Sequence, residues 1–428
     1  MQLPKQRLFW AVSLGHAAND LFMSMRSVVL TFISAYVLPM SAQHISLAVS
    51  AIELCGALSQ PFFGRRADRS GGRWLGAGGI TWTASFMLLG MLAVTLGGGF
   101  WLMLILMALA GFGSGAFHPV GSMYSTEIDP LRAGRNAALF FMFGQIGLAL
   151  GPMLSGLLLD RSHTTLNVWF GAALGTLGPR LFERGSLVPL FALGIVVVPA
   201  AVLMALTIPA RATDHAHSAR GESAARAPAP STAPRTFIIL GLAVALRSMA
   251  HLSTVNFLPY MFQLKGWSPA EYGALASSFW IASGFAGVWF GSLGDRYDMR
   301  RVIMVSLIVT APAVFLIPDL NGLLAVVGAF IIGAMSGSHS LIVVLSQRLL
   351  PGKKGFASGA TLGFIFAAGA VSNLIVGGLI DRFGTTNTFH LIAGLTLASS
   401  LLWLLIPAAS YKRLEPKPVA EPASTPSR

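Results

Sequence analysis

Cysteine is almost absent from this chain. Cys55 alone, set inside an apolar run, excludes a disulfide framework and a thiolate metal cluster, and it reads as a packing residue. Charge is scarce too: Asp, Glu, Lys and Arg together make up 11% of the residues, well below the share in an ordinary globular domain. So few charges cannot coat a soluble surface. Acids are the scarcer sign, 16 against 29 Lys and Arg, which leaves a net charge of +13. In a soluble protein that excess would suggest nucleic acid. In a chain this poor in charge it implies basic loops on one side of a membrane, and no nucleic-acid partner is expected. No nucleophile with its base and no dense cluster of metal ligands stands out along the sequence. Neither an enzyme nor a cofactor or metal centre is therefore predicted.

What is plentiful is hydrophobic side chains, 54% of the total. Runs of about twenty apolar residues recur from end to end, each long enough to cross roughly 30 Å of hydrocarbon as a helix. Twelve spans are expected, at 8–37, 43–63, 74–96, 100–122, 136–159, 187–208, 236–263, 270–291, 302–318, 321–345, 356–380 and 387–409. The predicted fold class is an all-α membrane protein. Placing the N-terminus inside puts most cations in the cytoplasm, among them Arg65, Arg66, Arg69, Arg73, Arg132, Arg135, Arg300 and Arg301. Arg161, Arg180, Arg184, Lys265 and Arg382 then fall outside. By the positive-inside rule both termini are expected in the cytoplasm and the chain in the cell's inner (plasma) membrane. The run from Leu8 to Val37 is too long and too polar inside for a cleaved signal, so span 1 is expected to stay.

The chain reads as two halves. His118 and His339, Pro130 and Pro351, Gly134 and Gly355, Phe143 and Phe364, Gly156 and Gly377, Asp160 and Asp381, and Arg161 and Arg382 recur at one constant offset. Duplicated six-span halves are how many secondary transporters build a site at the junction between them. The register breaks before span 6, where an insertion around 166–185 reads as an external loop or interfacial half-helix. Expected domains are an N-terminal six-helix bundle over 1–209, a flexible cytoplasmic linker over 210–235, a C-terminal bundle over 236–414 and a disordered Pro-rich tail over 415–428.

A charged hairpin, Gly64 to Arg73, carries an Asp68-Arg69 pair between spans 2 and 3, and it returns as Gly291 to Arg301 with Asp295-Arg296. A tight glycine turn with an Asp-Arg pair at the same place in each half resembles the major facilitator superfamily of transporters, and the resemblance extends over nearly the whole chain. It implies twelve transmembrane helices in two pseudo-symmetric six-helix bundles that work by alternating access. It also implies that Gly64, Asp68, Arg69, Gly291, Asp295 and Arg296 form a cytoplasmic gate. The carboxylates are suited to cap a helix N-terminus or pair with Arg while the cations stay in water.

Ionisable groups inside spans are expensive and normally face a cavity or a partner. In span 1, His16, Asn19, Asp20 and Arg26 fall within one arc of roughly 120° at about 100° per residue. A substrate or proton role and a buried structural network both fit that stripe. Span 2 places Ser46, Ser50, Glu53 and Gln60 near one face, with Glu53 close to mid-membrane. An unpaired carboxylate there is suited to carry a proton, and one paired with Arg26 to hold helices together. Span 7 supplies Arg247, His251 and Thr254 on one face, while Asn256 points elsewhere. A fixed cation suits an anionic or zwitterionic substrate, or pairs with Asp20 or Glu53 when the site is empty. His118 and His339 end spans 4 and 10 within small-residue stretches and serve equally well as gate contacts or ligands. Gln145 and Asn373 complete the candidates for substrate or proton coupling, with Asp20 and Glu53 the expected proton-exchanging carboxylates.

Span 5 carries Gly147-Leu148-Ala149-Leu150-Gly151-Pro152-Met153-Leu154-Ser155-Gly156, which resembles the Gly-Pro antiporter motif of the same superfamily. Its small residues Gly147, Gly151 and Gly156 permit close helix contact and Pro152 bends the span. Together with His16, Asn19-Asp20 and Phe117-His118-Pro119, the motif is similar to the fosmidomycin-resistance branch of facilitator-type efflux proteins. That implies a monomeric, proton-coupled exporter of small polar or anionic compounds or drugs. Uptake of a small organic anion or sugar by symport is the alternative, and a non-transporting receptor the alternative of another class.

Overall fold

The computed structural model describes residues 4, 6–129, 132–160, 186–209, 234–349 and 354–406. Ten helices in it are long and apolar enough to cross a membrane. One of them, Gly363–Leu405, is a double span that turns at Gly384, whose φ of 78° only glycine adopts readily. A further span is made of Arg7–Ser24 and Arg26–Tyr36, broken at Met25 beside the Arg26 side chain, which bonds the Met23 carbonyl. The described spans thus number twelve, as the apolar runs predict. In order they are span 1, then Ala42–Ser70, Arg73–Thr95, Phe100–Glu127, Ala133–Leu159 and Val188–Thr207 in the first half. Span 7 begins at Pro234 and ends at Leu264. It is followed by Pro269–Arg296, Met299–Leu316, the pair Gly322–Ser336 and His339–Leu349, and the two spans of Lys354–Leu402. The insertion at 166–185, the linker up to Ala233 and the tail lie outside the described residues.

Local chemistry fixes where helices begin. Span 8 starts at a capping box: Ser268 Oγ accepts from the Glu271 N–H at 3.4 Å, the Glu271 carboxylate accepts from the Ser268 N–H at 2.7 Å, and Pro269 fills the first helical position. Span 9 starts on Asp298, which accepts from the Arg300 N–H.

Two departures from the predicted spans matter for the site. Span 7 contains a π turn at Met249–Ser253, and span 10 breaks at Gly337 and Ser338 instead of running through. A π turn inserts one residue and rotates everything after it by about 100°.

The halves meet along span 2 with span 11 and span 5 with span 8. Asp381 at the end of span 11 accepts from the N–H groups of Ala42 and Gln43, at 2.8 and 3.0 Å, capping span 2. Its repeat partner Asp160, at the end of span 5, accepts from the Ala270 N–H at 3.1 Å, capping span 8. Each half therefore anchors the first turn of a helix in the other, at the end of the bundle opposite the termini. A carboxylate on a helix N-terminus contributes about 1–2 kcal/mol. Further along the same seams Ser277 donates to the Ala149 carbonyl and Ser50 to the Ala370 carbonyl, both at 2.7 Å.

Candidate functional site

The polar stripe of span 1 is turned inward, as its spacing requires. His16 Nε2 lies 3.2 Å from Asp20 Oδ2, and His118 Nε2, arriving from span 4, lies 3.4 Å from Asp20 Oδ1. Asn19 Nδ2 donates to Asp20 Oδ1 at 2.9 Å and to Ser114 Oγ at 3.1 Å, while Thr83 donates to Asn19 Oδ1 at 3.2 Å. The His16 ring stacks on Phe140 of span 5 with centroids 4.1 Å apart. Four spans thus converge on one carboxylate. His118 joins span 4 to span 1 through Asp20.

Arg26 and Glu53 pair directly. The pair extends across the seam. Glu53 Oε1 accepts from Arg26 of its own half, and Glu53 Oε2 accepts from Asn373 Nδ2 of the opposite half at 3.1 Å. Asn373 Oδ1 accepts in turn from Asn256 Nδ2 at 3.3 Å. Asn256, expected on another face of span 7 than Arg247, His251 and Thr254, reaches span 11, whereas Arg247 and His251 bond residues of spans 9 and 10.

Arg247 has no carboxylate within pairing distance among the described residues, so the expected empty-state pair with Asp20 or Glu53 is not what the structure adopts. Its Nη2 donates to the Ser336 carbonyl at 2.6 Å and to Ser338 Oγ at 3.2 Å, where the break in span 10 exposes backbone oxygen. Its Nε has no hydrogen-bond partner among the described residues. His251 lies against the Arg247 carbonyl at 3.0 Å and Thr310 at 3.4 Å, and His339 against the Ser336 carbonyl at 3.2 Å. Gln145 abuts Gly284 across the span 5 and span 8 seam, its Oε1 buried without a partner among the described residues.

The antiporter-type motif is two-sided. Gly147 and Gly151 press on Ala17, Leu21 and Ser24 of span 1, whereas Pro152 and Gly156 press on Gly273 and Pro269 of span 8. A Cβ at Gly147 or Gly151 would meet span 1, and one at Gly156 would meet span 8, so the motif seals one half internally and also joins it to the other.

The Asp-Arg pairs, expected in tight glycine turns, lie instead on the last turns of the helices Ala42–Ser70 and Pro269–Arg296, and the chain turns only after them; Gly64 packs on Pro119, Asp68 is half-buried and Gly291 is partly covered. Arg69 and Arg296 are exposed, and the Asp295 side chain lies outside the described residues. The working cations are the trailing ones. Arg73 Nε donates to the Ile208 carbonyl at 2.7 Å and Arg300 Nη1 to the Ile406 carbonyl at 3.1 Å, each tying its hairpin to the last span of its own half. Thr83, Ser114, Phe140, Ser338, Asn256 and these two arginines are site residues that spacing alone did not single out. The repeat offset flagged Asp160 and Asp381 without giving their role.

Comparison with known proteins agrees with this architecture. The model of the Major Facilitator Superfamily matches residues 12–250 and 237–427. The chain is 25% identical over 417 residues to the fosmidomycin resistance protein of Escherichia coli (strain K12), covering 94% of this chain and 93% of that one. It is also 25% identical over 399 residues to the MFS-type transporter YfnC of Bacillus subtilis (strain 168), covering 92% and 91%. Among solved structures, a D-xylose-proton symporter superposes with a TM-score of 0.70 at 14% identity, covering 95% of this chain and 99% of that one. A bacterial homologue of the human lysosomal transporter Spinster, in an inward-facing and occupied conformation, gives 0.69 at 16% identity over 94% and 95%. The family match covers nearly the whole chain, and this chain belongs to the Major Facilitator Superfamily, as a multi-pass membrane transporter and not an enzyme.

Proposed function

We propose that this protein exports a small polar or anionic compound, a drug among the candidates, in exchange for protons. It works as a monomer in the inner membrane with both termini in the cytoplasm. On that orientation the capped seams lie at the external side and hold it closed. The observation that carries the reading is the division of Glu53 between Arg26 of one half and Asn373 of the other. An ionised Glu53 holds both donors and keeps the outside shut. A proton on Glu53 removes one acceptor and the charge, and the bridge across the halves loosens.

Exchange follows if a donor group of the substrate and a proton compete for Glu53 Oε2. The substrate takes the place of Asn373, the outside opens, and a proton replaces the substrate there before the return. Arg247, a buried cation with no acid beside it among the described residues, supplies the anion-binding end of such a site. Of the two acids expected to exchange protons, Glu53 is the one that spans the halves. The likeness to a fosmidomycin resistance protein supports the direction of transport.

The test uses everted membrane vesicles from cells expressing the chain. They are screened with fosmidomycin, other antibiotics, phosphonates and metabolite analogues. An exporter accumulates its substrate in these vesicles and collapses the proton gradient. Loss of substrate from the vesicles on energisation would reverse the direction, and no proton movement with any transported compound would end the coupling claim.

A further inference from the structure

We propose that His16, Asp20 and His118 form a binding site for one divalent transition-metal cation of the Zn2+ class. This does not depend on the export reading. Each imidazole is held by its Nδ1 against a backbone carbonyl: His16 against Phe140 O and His118 against Ser114 O, both at 2.9 Å. A carbonyl only accepts, so each Nδ1 carries the ring's hydrogen. The Nε2 lone pairs of both neutral rings then point at the Asp20 carboxylate, 3.2 and 3.4 Å away. Lone pairs facing a carboxylate repel it, so a cation belongs between them.

One divalent metal meets that need. Ligand atoms about 3.3 Å apart are the edges of a tetrahedron whose metal–ligand bonds are roughly 2.0–2.1 Å long. The two contacts run to different oxygens of Asp20, 3.2 Å to Oδ2 and 3.4 Å to Oδ1, and one donor atom from each residue lies within 4.8 Å of the others, so small side-chain shifts bring three ligands onto one ion. The surroundings are those of a supported metal site. Each ligating ring donates its other N–H to a carbonyl, and the carboxylate is oriented by Asn19, itself held by Thr83 and Ser114. Phe140 stacks on the His16 ring, and the backbone of Gly144 packs against His16 and Asp20 where any side chain would intrude.

Two imidazoles and one carboxylate select Zn2+-like ions over the oxygen-seeking Mg2+ and Ca2+. The His16 side chain is 3% exposed and that of His118 is 26%, so the cluster is open on its His118 side. Three protein ligands leave a coordination position there for water or an oxygen of a solute.

The experiment titrates tag-free, full-length protein in detergent, stripped with chelator, with ZnCl2 by calorimetry and with CoCl2 by visible absorption, near neutral pH. One saturable Zn2+ per chain is expected, with the visible bands of low-coordinate Co2+. Affinity should fall at least about tenfold in His118→Ala and in Asp20→Asn and stay unchanged in His44→Ala, which removes an exposed imidazole. His118→Gln, closer in shape, repeats the loss should His118→Ala not fold. Absence of saturable Zn2+ uptake by the wild-type protein would mean that protons fill the gap and would overturn the proposal. So would wild-type affinity in both triad variants.

Discussion

His118 and His339 hold equivalent places in the two halves, yet their neighbours carry opposite charge. His118 faces Asp20 inside a network of acid, amide and imidazole. His339 sits beside the Ser336 carbonyl that also receives Arg247, with no acid in pairing distance of that arginine among the described residues. The scaffold was kept and the chemistry was not. Symmetry persists where it serves the mechanism, in the caps made by Asp160 and Asp381 and in the ties from Arg73 and Arg300 to the ends of spans 6 and 12. The polar groups are asymmetric: one half supplies acids already paired and the other a cation, Arg247, with no acid in pairing distance among the described residues. Such a division lets a transporter rock symmetrically about a site that binds one orientation of a polar substrate.

The comparison is broken most severely at Glu53. Glu53→Gln keeps a hydrogen-bonding side chain but removes the charge and the titration, so gradient-driven transport should fall by well over tenfold while substrate exchange at equal pH persists. Transport assays in proteoliposomes with and without a pH gradient check this, and equal loss in both would reduce Glu53 to a structural role. Arg247→Ala removes the unpaired cation of the other half. Affinity for an anionic substrate should drop about ten- to a hundredfold, given about 1.5–3 kcal/mol for a hydrogen bond to a charged group, with little change for a neutral analogue. Competition binding with a charged and an uncharged compound gives the ratio.

Smaller effects test the symmetric parts. Asp160→Ala and Asp381→Ala each remove one cap, and about 1–2 kcal/mol shifts the two-state balance roughly five- to thirtyfold toward opening at that end. Cysteine accessibility at the outer loops should rise by the same factor in both variants; unequal responses would show that the halves do not share the load. At the opposite end, Asp68→Asn and Asp295→Asn should favour inward opening and slow turnover a few-fold, with affinity less changed. Accessibility from the cytoplasmic side, measured beside transport rate, distinguishes this from a loop that only sets topology.

Much of this arrangement was legible in the sequence. Twelve apolar runs, a constant repeat offset and two charged hairpins describe the fold because membrane spans must satisfy their own backbone. The stripe of His16, Asn19 and Asp20 was legible because span 1 is regular up to Met25. The π turn at Met249–Ser253 was not legible, because helical spacing assumes none. The pairing of Glu53 with Asn373, and the gathering of His118 onto Asp20, join residues far apart along the chain. No local pattern encodes them.

The central claim is that an ionised Glu53 holds the external side closed. Spin labels at Leu96→Cys and Leu323→Cys, exposed positions at the end of span 3 and the start of span 10, report that opening in a Cys55→Ser background. Double electron–electron resonance on detergent-solubilised protein should give one short distance at high pH and a growing longer one as the pH falls. In Glu53→Gln the longer distance should dominate at every pH. A distance distribution that ignores pH in the wild type, or follows it unchanged in Glu53→Gln, would contradict the account.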